Sequence, residues 1–453
     1  MRKIFFASVV LIVFCLGLFI KDAGAIPVFA RKYKTTCITC HAPFPKLSAF
    51  GEAFRLNGYK IPGGADEVYV KQEPVSMGAE AYKKIFPESI WPSSLPGIPP
   101  VSFNIIGDVV GDTTGTHTNR VEFNFQNEID IHAAGTFGDH WSFFTEVAFT
   151  PDPVNNGQTV SSTAAWLQYQ DILSGIVGDH HLNLKGGNIG KLEISLPNVR
   201  FDNSFQYNDY LYASETNLGS QPGFEINGFG KCWRYDFGVV KSDTSNSERD
   251  YYAQLNFKFG GLGYDGTGGT TEAGGLATPP SKYWVDNSVA FGGFWYRTYD
   301  SIFNAAGTRT DVNPFDRFGG DILVSYSDFA LGFGYLRGDG NDSILSTIFG
   351  SSPAVNLSMF PSLINENIYT VDLRYFLYPW LVPYARYEIV EVTNTSGLDK
   401  NRVVLGVTAL AIANVRVNLE GRYYFQNQPL NVPGVDPATI DSNQIAIRLQ
   451  WAF

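Results

Sequence analysis

The chain has 453 residues, a formal net charge of −11, 15% aromatic and 17% charged residues. This acidic balance argues against nucleic acid as a partner. Past the N-terminus no stretch is apolar enough for a transmembrane helix, yet aromatic residues are abundant and recur at every second position.

Met1-Arg2-Lys3 is a short basic start. Ile4 to Ile20 is an apolar run, and Ala23-Gly24-Ala25 supplies small residues for cleavage. Residues 1–25 therefore read as a secretory signal. The competing reading is a membrane anchor, but an AxA-type site follows the run closely. Cys15 lies inside this segment, after Phe14, which disfavours a lipoprotein start.

The next feature is Cys37-Ile38-Thr39-Cys40-His41, the c-type haem attachment pattern. Each thiol adds across one haem vinyl group, and the histidine then becomes the proximal iron ligand. The competing readings are a Cys-x-x-Cys disulfide and half of a zinc site. Zinc wants four ligands, and no second Cys/His pair of suitable spacing lies nearby. A redox disulfide does not need His41. Downstream, Leu47, Phe50, Gly51 and Phe54 recur at helical spacing, with Pro45 suited to the first turn and Asn57-Gly58 to the end. That apolar face is expected either to cover the haem or to form a small core. Residues 60–100 are rich in Pro and Gly, which predicts irregular backbone and a boundary near 100. Residues 26–100 thus form a monohaem cytochrome c region, too small for a large core of its own. For the sixth iron position, Met77 is the only methionine in the mature N-terminal region, and His132 is its rival. His117, His140, His180 and His181 sit near turns.

From Val101 onward the period is two. Val121, Phe123, Phe125, Ile129 and Ile131 share one face, while Arg120, Glu122, Asn124, Gln126, Glu128, Asp130 and His132 share the other. A soluble sandwich would turn the apolar face to a second sheet; a membrane barrel would turn it to lipid and the charged face to a wet lumen. The charged face recurs at Asp372 and Arg374, Arg386 and Glu388, and Arg416, Glu420 and Arg422, opposite bulky aromatics, which favours the barrel. Strands are predicted near 101–110, 119–134, 139–149, 162–171, 181–190, 221–229, 232–241, 250–259, 283–298, 315–326, 329–338, 367–378, 381–392, 401–411, 414–426 and 443–453. That is an outer-membrane β-barrel of about sixteen antiparallel strands over 101–453, ending on an aromatic, Phe453. Tight turns at Ser325–Phe329, Leu377–Leu381 and Ala411–Asn414 alternate with long loops at 190–220, 299–314, 337–366 and 426–441. The Gly/Thr-rich stretch 260–282 falls awkwardly on the short-turn side. Cys232 reads as an inert lumenal thiol, and Asp339, Asp342 and Glu366 as loop carboxylates.

Pro27-Val28-Phe29-Ala30-Arg31, then Cys37-x-x-Cys40-His41, then Phe44-Pro45-x-Leu47-x-x-Phe50-Gly51-x-x-Phe54-x-x-x-Gly58-Tyr59 resemble the fused monohaem cytochrome–porins of iron-oxidising bacteria, the outer-membrane Fe(II) oxidases. The resemblance is close over the haem region and rests only on length and pattern in the barrel. It implies one covalent haem c held by Cys37, Cys40 and His41. It also implies electron flow from extracellular Fe(II) to a periplasmic cytochrome c, with the N-terminal region plugging the barrel in the outer-membrane lipid. Three alternatives stay open: the same architecture delivering electrons outward, a diffusion porin with a haem-bearing gate or sensor, and a soluble periplasmic cytochrome.

Overall fold

The computed structural model describes residues 28–44, 46–62, 66–70, 75–76, 84–85, 94–95, 100–112, 121–137, 139–152, 157–189, 221–242, 248–269, 282–303, 309–339, 365–392, 399–425 and 443–453. The signal segment, Met77, His117, Asp342 and most of the long loops lie outside them.

Sixteen strands make one closed antiparallel barrel. They are β1 (Val101–Asp112), β2 (Val121–Phe137), β3 (Trp141–Asp152), β4 (Gly157–Tyr169), β5 (Asn183–Ile189), β6 (Gln221–Phe229), β7 (Trp233–Lys241) and β8 (Arg249–Gly260). The second half is β9 (Ser288–Phe303), β10 (Arg309–Tyr326), β11 (Phe329–Asp339), β12 (Glu366–Tyr375), β13 (Leu381–Val392), β14 (Lys400–Ile412), β15 (Val415–Tyr424) and β16 (Gln444–Ala452). Each pairs with its chain neighbours, and β16 closes on β1. At the seam Arg448 Nε meets Asp108 Oδ1 at 2.7 Å inside, and Phe453 stacks on Phe103 with centroids 5.2 Å apart. No helix among the described residues is long and apolar enough to cross a membrane; the strands do the crossing.

The period of two decides which way each face turns. On β12, Tyr369 and Leu373 are 38% and 43% exposed, while Thr370, Asp372 and Arg374 between and beside them are 3%, 1% and 0%. On β2, Val121 and Phe123 point outward and Asp130 is buried. Exposed apolar side chains on a closed cylinder are satisfied only by lipid. The inward charges are shared: Glu388 accepts from Arg402, and Arg422 Nε reaches Glu420 Oε1 at 2.7 Å. Trp141, Tyr326, Tyr378 and Trp380 gather at the short-turn rim, as an interfacial girdle requires.

The strand count of the sequence reading stands, and three details change. Residues 299–314 are mostly strand, because β9 and β10 run on to a short link at 304–308. Glu366 is the first residue of β12 and only 1% exposed, so it is not a solvated loop carboxylate. Cys232 sits exposed in the turn between β6 and β7 rather than in the lumen. The long 261–287 connection does lie on the short-turn side. Its reason is packing: Leu262 and Tyr283 bury themselves against the N-terminal region.

Candidate functional site

The haem-motif part of the N-terminal region has two short helices, α1 (Val28–Tyr33) and α2 (Ala49–Leu56), around a one-turn 3₁₀ segment at Cys37–Thr39, and a single helical turn at Asp66–Tyr69 follows. Ser48 caps α2, accepting from the Gly51 N–H at 3.1 Å while its own hydroxyl donates to the Thr39 carbonyl at 3.1 Å. The helix therefore starts at Ala49, later than Pro45 and Leu47 led the sequence to predict. Leu47 instead pairs with His41 as an isolated bridge. The end is as expected, with Asn57 at the C-cap and Gly58 left-handed at φ 63°.

The apolar face of α2 makes a core. Tyr33, Phe50, Ala53, Phe54 and Ile61 pack together with Leu262 from the long connection. Gly51 is needed for a different reason. A Cβ there would sit 2.0 Å from the Cys40 carbonyl oxygen, so only glycine lets α2 lie directly on the Cys37–His41 segment.

This small core is wedged in the lumen. Arg31 donates to the Val101 carbonyl on β1, and Lys32 Nζ to Thr136 Oγ1 on β2 at 3.4 Å. Tyr59 stacks on Trp166 of β4, centroids 6.0 Å apart, and leans on Phe144 of β3. Glu52 pairs with Arg234 of β7. Ala42 and Ile38 pack with Tyr283, Trp284, Phe376 and Val382 at the β12–β13 turn. These contacts fall on β1 to β4, on β7 and at the β12–β13 turn.

Cys37 is buried, Cys40 half-buried and His41 half-buried. The Cys40 and His41 N–H groups both donate to the Cys37 carbonyl, at 3.2 and 3.0 Å. Phe44 sets its ring edge-on to His41, centroids 5.0 Å apart. Burial pushes the Cys37 thiol up to about 11, and burial plus Cys37 pushes Cys40 up to about 12. No three His, Cys, Asp or Glu side chains converge as a metal set among the described residues. An uncharged thioether suits the same burial, so the donor set fits a covalently attached haem. Cys37 and Cys40 would hold it through carbon–sulfur bonds and His41 would ligate its iron.

Of the other ligand candidates, Met77 lies outside the described residues. His132 faces the lumen on β2, five strands round from β13. Its Nε2 lies 3.1 Å from Glu146 Oε2. It is thus engaged on a different wall from the one that Ala42 touches. His140 and His180 flank Asp171 in the turn region of the rim, at 3.8 and 3.1 Å. Three contributors went unread in the sequence: Gly51 as a contact, Arg234 as the partner of Glu52, and the Tyr283–Trp284 floor.

The motif is not midway through the membrane. Phe376, beside Ala42, is just past the short-turn end of β12. The far end of that strand, Glu366, is about 30 Å away at ~3.4 Å per residue, or roughly 25 Å along the axis after strand tilt.

No family model and no curated relative matches the chain. Solved outer-membrane barrels do. OmpT of Vibrio cholerae with its loop L8 deleted aligns at 14% identity and a TM-score of 0.50, covering 78% of this chain and 98% of that one. OmpF of Salmonella typhi, solved with daunomycin, gives 10% identity and a TM-score of 0.50 over 78% and 97%. At such identities the likeness concerns the fold. That fold, with its lipid-facing exterior, defines a porin-like outer-membrane β-barrel. In this one, a small N-terminal core fills the short-turn mouth.

Proposed function

We propose that this barrel carries electrons between extracellular Fe(II) and a soluble periplasmic cytochrome c, through one haem c attached at Cys37 and Cys40 and ligated by His41. The reading belongs to the fused monohaem cytochrome–porins that the N-terminal motifs resemble. The observation that carries it is the position of the attachment motif, on a packed plug inside a membrane barrel. When bound, the haem supplies a one-electron couple at the short-turn mouth. The chain does the rest. α1 and α2 fix the motif to the walls, and the Tyr283–Trp284–Phe376 floor closes its underside. Electron tunnelling decays exponentially with distance, so roughly 25 Å of lumen requires the donor ion to enter from the long-loop side. The plug then stops ions while the site passes charge. Met77 is the proposed second axial ligand, which would raise the potential as an acceptor from iron requires.

Stopped-flow mixing of the detergent-solubilised protein with Fe(II) tests this. The haem bands should shift to the reduced form, and a soluble cytochrome c should reoxidise them. A colourless protein, or one that carbonate washes off vesicles, ends the proposal. Electron delivery outward is the same machine at a different potential, and a midpoint potential below that of iron would favour it. The likeness of the barrel to OmpT and OmpF favours a second reading, a diffusion porin with a haem-bearing gate. An open conductance indifferent to redox state would select it.

A further inference from the structure

Arg374 stands on the lumenal face of β12 with a side chain that is 0% exposed. Its Nε donates to Asp372 Oδ1, but Nη1 and Nη2 have no hydrogen-bond acceptor. Asp372 is shared between two guanidinium groups: Arg386 Nε lies 3.5 Å from its other oxygen, which makes no hydrogen bond of its own. A buried guanidinium with its two outer nitrogens idle is costly and calls for an anion.

Arg374 is two residues from a contact with the Cys37–His41 segment. Two residues on from Arg374, Phe376 packs with Ala42, the residue after His41. In register with Arg374 on β13 is Tyr384, and two residues below it Val382 joins the same cluster. Ala42 N–H donates to the Lys46 carbonyl at 2.7 Å, closing a tight loop that carries a second cation. Burial, then Arg374, push the Lys46 ammonium down to about 7 against the pull of Asp372, Glu52 and Asp321. Buried Arg374 and half-buried Lys46 thus both stand near the motif, Lys46 on its tight loop and Arg374 two residues from Phe376.

We infer that Arg374, with Lys46, binds a propionate carboxylate of the haem attached at Cys37 and Cys40. The inference rests on the haem reading above. The two vinyl groups bonded by the cysteines and the two propionates lie on opposite edges of the porphyrin, so the carboxylates must find partners away from the thioethers. A guanidinium fork matches a carboxylate in shape as well as charge.

The test uses the full-length membrane protein, matured in cells that make c-type cytochromes, with R374Q, R374K and K46Q variants. Haem per protein, heat-modifiable migration as a sign of a folded barrel, the propionate bending bands in resonance Raman, and midpoint potential against pH are recorded. Covalent haem should persist in all. The pH below which the potential climbs should move up by about one unit or more in R374Q, move similarly in K46Q, and return in R374K. The propionate bands should move in step. Haem retained with bands and pH profile unchanged in both R374Q and K46Q overturns the inference and leaves the haem reading standing. A profile that follows the phosphate or chloride concentration instead overturns it in favour of a free anion. No haem in the wild-type protein fails the earlier reading, and this one with it. Should R374Q not fold, K46Q alone decides, since Lys46 belongs to the plug and not to the wall.

Discussion

Glu52→Gln should loosen the plug. Glu52 sits on α2 and is held from two sides. Arg55 Nη2 on its own helix reaches Oε1 at 2.9 Å, and Arg234 Nη1 from β7 meets the same oxygen. Burial alone would raise the carboxyl, but Arg55 and Arg234 outweigh it and hold it at about 2, against an ordinary 4.5. At 1.36 kcal/mol per pH unit that is about 3 kcal/mol in favour of the charged form. Arg55 travels with the helix and keeps its share, so about half of this ties plug to wall. The loss of Glu52 also leaves Arg234, 4% exposed, without its carboxylate in the lumen. Together the hold weakens by roughly 2–3 kcal/mol, on the order of a hundredfold in the plug-out population. Planar-bilayer conductance and protease cutting within residues 28–62 read this directly, and Arg234→Gln with the double variant completes the cycle. The sign of the pH dependence follows from the same pair. A depressed carboxyl stabilises fully above 4.5 and loses its effect as pH falls toward 2. The wild-type plug should therefore loosen across that window, and E52Q should not respond. If E52Q and R234Q both keep wild-type conductance and cutting patterns, the pair does not anchor the plug.

Gly51→Ala places a methyl 2.0 Å from the Cys40 carbonyl in an otherwise permitted helical backbone. The expected result is a loss of covalent haem with the barrel still heat-modifiable, read by haem staining. Leu262→Ala removes a 2% exposed side chain from the plug core and should cost about 2–4 kcal/mol of plug stability. Limited proteolysis should then release the N-terminal region at lower denaturant than in wild type, with barrel unfolding unchanged. Cys37→Ala or Cys40→Ala should leave a haem held by a single thioether, with a red-shifted pyridine haemochrome band. The double variant should release haem into acid acetone. Removing Phe453 deletes the stack on Phe103 and the Phe103–Phe453 backbone pairs of 2.7 and 2.9 Å. Slower acquisition of the heat-modifiable form should follow.

The barrel was legible because its signal is repeated. A period of two, charged on one face and aromatic on the other, leaves a single way to face each strand once the sheet closes. Even so, the edges drifted. β9 and β10 run beyond 299 and start before 315, because Tyr299 and Phe315 extend the alternation through residues that composition alone reads as loop. The Cys37–His41 pattern is visible in the sequence because it is local, three residues at fixed spacing. What holds it is not. Ser48 rather than Pro45 opens α2, since a side-chain cap on the Gly51 N–H outweighs the fixed φ of proline. Glu52 with Arg234, and Ala42 with Phe376, are joined across more than 180 and 330 residues, and no pattern in one sequence announces such pairs. Cys232 misled because the alternation of Trp233, Tyr235 and Phe237 can be extended back to it, whereas Cys232 closes the turn and β7 starts at Trp233.

The 261–287 connection bears on which reading of the lumen is right. A porin has no need of so long a link on its short-turn side, where two to five residues suffice at most other turns, as at 327–328 and 413–414, and the next longest is 170–182. Here the link gives Leu262 to the plug core, and Lys258 at the end of β8 ties it down, with Nζ on the Leu262 carbonyl at 2.7 Å and on Asp286 at 2.8 Å. Farther on, Tyr283 donates to the Pro379 carbonyl at 2.7 Å, and Trp284 lies flat on Phe376, centroids 5.5 Å apart. The described parts of the link, 261–269 and 282–287, thus meet the plug near β8 and at the β12–β13 turn. Such a floor makes sense for a plug that stays seated. A plug that leaves the lumen to open a pore would have to break Leu262 and Ala42 contacts together. Shortening the link between 270 and 281 should leave those contacts intact and conductance low, while Tyr283→Ala with Leu262→Ala should raise it. Equal conductance in both would mean that the floor does not retain the plug, and the gated-pore reading would gain.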